Sequence, residues 1–224
     1  MLSRRCLPVM LLAVAAWSVA APVAARAQSV VAETEGGSVA YAVDPTASRV
    51  RIHLGRAGLM KFLGHEHAIE APLSEGRVEV VAGDPARSRV ALRFESAQLA
   101  LVPGSEPAGD IPKVEQRMRS PEVLDVTRYP EIAFVSTSVR SQAQDGSRVR
   151  ILLAGTLTLR GRSFPVEVPL EVVREPLGIV ARGGLALNLR DLGIEPPSVA
   201  GVVNVANRFR LEFEIRATAA GEAR

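Results

Sequence analysis

Between Arg208 and Arg216 the chain reads Arg-Phe-Arg-Leu-Glu-Phe-Glu-Ile-Arg, with every odd position apolar and every even one charged. A β-strand sends alternate side chains to opposite faces, so this stretch makes a ribbon with one buried and one wet side. A helix would spread the same charges around its circumference. The rhythm recurs along the chain. Val50, Ile52 and Leu54 alternate with Arg49, Arg51 and His53, and Val90, Leu92 and Phe94 with Arg89, Arg93 and Glu95, interrupted only by small Ala91. Val149, Ile151, Leu153, Leu157 and Leu159 share one parity, as do Val166, Val168, Leu170 and Val172, and then Ile179, Leu185, Leu187 and Leu189. Turn formers separate the runs at Gly83-Asp84-Pro85, Asp145-Gly146, Arg160-Gly161-Arg162 and Glu175-Pro176-Leu177-Gly178.

One-sided burial in about eight strands joined by tight turns predicts antiparallel sheet. A sandwich and a closed barrel both satisfy the pattern. The strands from Val149 onward are long, and long exposed edges invite aggregation, which favours closure. The expected fold is therefore all-β: an eight-stranded antiparallel barrel with one short helix in a long connection. That helix is predicted from Pro112 to Ser120, where alternation stops and Pro112 suits a first helical turn. Pro103 to Gly109 reads as a flexible loop before it, and Ser29 to Gly37 and the tail after Ala217 read as loose ends.

The N-terminus is read as an export signal over residues 1–27, removed from the mature chain. Arg4 and Arg5 precede an apolar run from Leu7 to Ala16, and Ala25-Arg26-Ala27 fits the cleavage rule, leaving Gln28 first. The run is too short and too broken by Pro8, Ser18 and Pro22 for a membrane-spanning helix, so no integral span is expected after cleavage. Cleavage removes Arg4, Arg5 and Arg26 from 27 basic residues and nothing from 24 acidic ones, leaving 24 against 24. With no net charge and arginines dispersed among acids, the chain lacks the footprint of a nucleic-acid binder. The same dispersal neither favours nor forbids a homodimer. Cys6 and Trp17, the only residues of their kinds, also leave with the signal. Disulfides and thiol catalysis are thereby excluded from the mature barrel domain, taken as residues 38–220.

Several phrases, in order, resemble the YceI-like family of periplasmic, lipocalin-like, polyisoprenoid-binding proteins. They are Tyr41-Ala42-Val43-Asp44-Pro45 with Ser48-Arg49-Val50, and Arg128-Tyr129-Pro130-Glu131-Ile132-Ala133-Phe134-Val135-Ser136. Gly155-Thr156-Leu157-Thr158-Leu159-Arg160-Gly161 with Pro165-Val166 follows, then Leu189-Arg190-Asp191-Leu192-Gly193-Ile194, with Leu192 where the family usually has Phe. A departure is Leu63-Gly64-His65-Glu66-His67, where many members carry a Gly-Phe-containing stretch. The resemblance implies a periplasmic barrel holding an isoprenoid-like lipid in an elongated cavity, with no cofactor required.

An eight-stranded barrel is just wide enough for one slender ligand when its inward side chains are modest. The expected wall is Val90, Leu92, Phe94, Ile132, Phe134, Leu157, Val168, Leu187 and Leu211. A filled barrel used for protein contacts has the same alternation. A third reading starts from the histidines. If Glu66 lies in a strand, His65 and His67 project from one face, and His53 on a neighbouring strand completes a candidate divalent-metal site. That would make the chain a periplasmic metal binder or a metal-dependent enzyme on the same barrel. No nucleophile elbow, P-loop or dinucleotide fingerprint is present, and no catalytic residue is assigned.

Overall fold

A computed structural model describes residues 37–57, 67–199 and 203–220. The strands are β1 (Ser38–Val43), β2 (Arg49–Ala57), β3 (His67–Glu70), β4 (Leu73–Val81), β5 (Arg89–Glu95) and β6 (Ala100–Leu101), followed by β7 (Glu131–Asp145), β8 (Arg148–Leu159), β9 (Arg162–Glu175), β10 (Gly178–Asn188), β11 (Ser198–Val199) and β12 (Val203–Ala219). Every pairing is antiparallel.

The segments merge into eight staves. β1 and β2 run end to end along β12, the first through Tyr41↔Ala219 and the second through Glu214↔Arg49. β3 and β4 run end to end along β2 and β1, and β6 and β5 along β3 and β4. Strands β7, β8, β9, β10 and β12 complete a closed meander, with β12 returning to β1. The breaks have chemical causes. Asp44-Pro45 and Ala71-Pro72 interrupt the first two staves, because proline has no N–H for the ladder. At the first break Asp44 Oδ1 accepts hydrogen bonds from the backbone N–H groups of Thr46 and Ala47. Serine hydroxyls stand in for lost backbone acceptors elsewhere: Val90 N donates to Ser136 Oγ beside a bulge in β7, and Arg216 N to Ser48 Oγ.

One join in the ring is incomplete. β9 and β10 pair only from Leu170↔Gly183 to Glu175↔Gly178, although β9 starts at Arg162 and β10 ends at Asn188. Along the unpaired half of β9 stand Pro165 and Pro169. Both remain in register with β8, opposite Thr156 and Leu152, so their missing donors fall on the β10 side. The loop after β10 fills in here. It buries Leu189, Leu192 and Ile194 and is held by Leu189 N donating to Asn207 O and Arg160 Nη1 to Gly193 O.

The helix α1 spans Ile111–Arg119, one residue earlier at each end than the sequence suggests. Its Met118 faces inward, and Glu115 Oε1 accepts from Leu101 N, tying the helix to β6 across one end of the barrel. The tail after Ala217 is not loose: Thr218 and Ala219 pair with β1, and Ala217 is 3% exposed in the inward row. The export-signal assignment and the cleavage site lie outside the described residues.

Candidate functional site

The inward rows leave space. Two cavities lie end to end inside the staves, of about 590 and 570 Å³. The first opens among the β4–β5, β7–β8 and β9–β10 turns. The second lies beneath α1 and the loop 189–197. Val50, Phe94, Leu157, Leu187 and Leu211 line both, so the two mostly apolar lobes adjoin at these five residues, the waist of an elongated bore.

All nine sequence-predicted wall residues border this bore. Val90, Leu92, Phe134 and Val168 line the first lobe, Ile132 the second, and Phe94, Leu157, Leu187 and Leu211 both. Strand parity carries each of them inward, since one face of every stave is wet. Sequence reasoning missed most of the second lobe, including Leu99, Leu101, Met118, Leu124, Leu192 and Ile194. These sit on short segments and loops without alternation.

Two glycines widen the first lobe. Gly183 lies opposite Phe213 in the β10–β12 ladder, and a Cβ there would stand 2.8 Å from Phe213 Cζ. The tip of the ring therefore covers the glycine. Phe134 uses Gly155 in the same way, with a Cβ there 2.5 Å from Phe134 Cε2. Both aromatic rings lie over a glycine and both border the first lobe.

The two mouths differ in charge. At the mouth of the first lobe the inward row of β9 runs Val166, Val168, Leu170, Val172 and ends on Arg174. Arg174 is the one charged side chain among the described residues lining that lobe, beside Ser88, Ser141, Gln144 and Ser147. The second lobe has Glu106, Asp110, Lys113 and Arg117 at its edge. There Lys113 Nζ lies 3.2 Å from Asp110 Oδ1 and Arg117 Nη2 2.7 Å from Glu122 Oε2.

The histidines are placed as follows. His53 stands out of phase with Ile52 and Leu54, which line the second lobe, and its side chain belongs to the outer face. Its Nε2 lies 3.5 Å from Glu212 Oε2 without hydrogen-bonding geometry, and it is buried with no hydrogen bond. His67 occupies the ladder position opposite Leu54, one step out of register with the His53↔Ala68 pair. His65 lies outside the described residues. Among the described residues no three His, Cys, Asp or Glu groups are disposed to hold a metal.

Hydrogen bonds within its own turn, chiefly from Thr46, hold Asp44 below its ordinary value, and the other resolved shifts belong to outer-surface pairs. Hydrogen bonds from Arg182, and then Arg216, hold the Glu214 carboxyl below its ordinary value, and Arg190 does the same for Glu195. These pairs clasp the outside of the wall and do not border the bore.

Comparison with known proteins agrees with this architecture. A family model described as a YceI-like domain matches residues 41–217. Solved structures similar in fold include BcnA of Burkholderia cenocepacia, with a TM-score of 0.60 at 18% identity, covering 79% of this chain and 99% of that one. Another is a polyisoprenoid binding domain from Saccharophagus degradans, with a TM-score of 0.57 at 15% identity, covering 81% and 99%. A UPF0312 protein of Pseudomonas savastanoi pv. phaseolicola is 34% identical over 89 residues, 37% of this chain. That match spans 44% of the relative, less than half of its length. Among the described residues no helix is long and apolar enough to cross a membrane.

Proposed function

The chain belongs to the YceI-like family, and from that premise we propose that it is an exported binding protein that holds one isoprenoid-like or other long amphipathic lipid in its bore. Its task on this reading is carriage or sequestration in the periplasm, with no catalytic step. The observation that carries the reading is the pair of mostly apolar cavities lying end to end inside the staves, with Val50, Phe94, Leu157, Leu187 and Leu211 bordering both. A filled barrel has no such cavities.

The energetics suit a hydrocarbon tail. Each buried methylene is worth roughly 0.8 kcal/mol, so ten buried carbons offer about 8 kcal/mol before the costs of association. Because the wall offers no directional partner along most of its length, selection acts on the tail's length and girth more than on its chemistry. The polyisoprenoid-binding domain of Saccharophagus degradans shares the fold and supports this ligand class.

Native mass spectrometry of gently purified protein tests the proposal. The expected spectrum shows a lipid-sized adduct on a polypeptide beginning at Gln28. A delipidated, refolded sample should take up added geranylgeraniol with one-to-one stoichiometry. Failure to take up any long-chain amphiphile would overturn it.

A further inference from the structure

The bore has two unlike ends, and the difference assigns a direction to its occupant. This inference rests on the lipid-binding reading and adds the class of head group and its place. We propose that Arg174 anchors an anionic head group, a phosphate or a carboxylate, at the turn end of the first lobe, so that the tail threads the waist and ends beneath α1.

Four observations converge. Arg174 continues the inward parity of Val166, Val168, Leu170 and Val172, so its stem lies on the bore and its guanidinium at the rim. It forms no ion pair with any described residue, whereas its neighbours are engaged: Arg148 with Glu171, and Arg216 with Glu175 and Glu214. Asp84 and Asp145 belong to the same group of turns but do not line the lobe. Second, the remaining polar side chains at this mouth are Ser88, Ser141, Gln144 and Ser147, which offer donors and no negative charge. Third, the opposite mouth is balanced, with two carboxylates, Glu106 and Asp110, beside Lys113 and Arg117. An anion there would meet repulsion and cations already engaged with Asp110 and Glu122. Fourth, the far end is roofed by α1 and the buried loop side chains Leu192 and Ile194, which suits a hydrocarbon terminus.

A planar guanidinium presents several N–H donors in a fork that matches two oxygens of a phosphate or carboxylate. At a half-open rim such a pair is weaker than in a closed site and is screened by salt. Its backbone N–H donates to Ser147 O, which a side-chain change leaves in place.

The test is a titration of delipidated full-length mature protein with geranylgeranyl monophosphate, geranylgeraniol and oleate. The parent should bind the phosphate more tightly than the alcohol, with the advantage shrinking as salt rises. Arg174→Gln should weaken phosphate binding about tenfold and the alcohol less than about twofold. Arg174→Lys should restore part of the loss. The oleate arm separates the two anions: a loss in both marks a general anion anchor, and a loss for the phosphate alone narrows the anchor to phosphates. Equal losses for phosphate and alcohol, or none for either anion, would overturn the anchor. A larger phosphate loss in Arg117→Gln than in Arg174→Gln would reverse the direction and overturn it as well. If the parent takes up none of the three, the lipid-binding reading falls and the anchor with it.

Discussion

Gly183→Ala isolates the geometry that keeps the first lobe open. The added methyl would land 2.7 Å from Leu170 Cβ, 2.7 Å from the Pro169 carbonyl oxygen and 2.8 Å from Phe213 Cζ. All three lie inside van der Waals contact. The Phe213 ring can swing, but only into the lumen, and Pro169 O belongs to the backbone of β9. Replacing glycine also removes chain freedom from the unfolded state, which favours alanine by about 0.4–1 kcal/mol where the fold accepts it. Overpacking costs typically about 1–3 kcal/mol, so the clash wins and a net loss of about 1–2 kcal/mol is expected. For a domain of this size each 1 kcal/mol moves Tm by roughly 2–4 °C, so the ligand-free variant should melt about 2–8 °C below the parent. Its remaining fold should bind geranylgeraniol more weakly, because the displaced ring narrows the bore. Adding Phe213→Leu should return binding more fully than stability, since Pro169 O and Leu170 stay where they are. Thermal unfolding by circular dichroism with a parallel lipid titration reads both effects. A Tm equal to or above the parent's, with unchanged uptake, would show that Gly183 does not house the ring.

Three further outcomes follow from the wall. Ile194→Ala, at a loop residue 3% exposed against the second lobe, should cost about 2–5 kcal/mol in chemical denaturation, and a loss under 1 kcal/mol would mean the loop is not part of the core. Glu214 has a folded pKa below its unfolded value, so its contribution is present above the unfolded pKa and fades as pH falls through the folded one. Glu214→Gln should therefore flatten the loss of stability on acidification below about pH 4.5, seen as a smaller fall in Tm than the parent's. Glu167 shares the parity of Pro165 and Pro169, facing the unpaired side of β9, and its amide should exchange with deuterium faster than those of Val166 and Val168 by nuclear magnetic resonance; equal protection would show a hidden partner.

Most of the barrel was legible because a half-buried strand writes its environment into alternate letters. The run from Arg208 to Arg216 could fold in no other regular way and keep its charges wet. The short helix was legible for the opposite reason, as the stretch where alternation stops behind a proline. The course of the first two staves was not legible, because alternation does not show that β1 and β2, broken at Pro45, and β3 and β4, broken at Pro72, resume along the same neighbouring stave. The hollow was not legible either. Filled and empty barrels share one pattern, and the difference lies in where Phe134 and Phe213 sit, which depends on Gly183 opposite Phe213 and on Gly155, two residues along β8 from Phe134's partner Leu157. Arg174 was within reach of the sequence, since counting by twos from Val166 arrives at it. Spacing alone put the histidines near one another in sequence, and the ladder places His53 and His67 at neighbouring positions of β2 and β3, paired with Ala68 and Leu54.

The ring is sealed by its own extremities, Tyr41 against Ala219 and Val43 against Ala217. Hairpins such as β7–β8 form between neighbours in the chain and can appear early, but this last rung must wait until almost the whole polypeptide is in hand. Contacts of such long sequence separation are slow to find, because the intervening chain must be ordered or looped before they are rewarded. Until that moment the outer staves present bare edges. A chain assembled in this way has its greatest hazard late, in the interval between a nearly finished wall and a shut one.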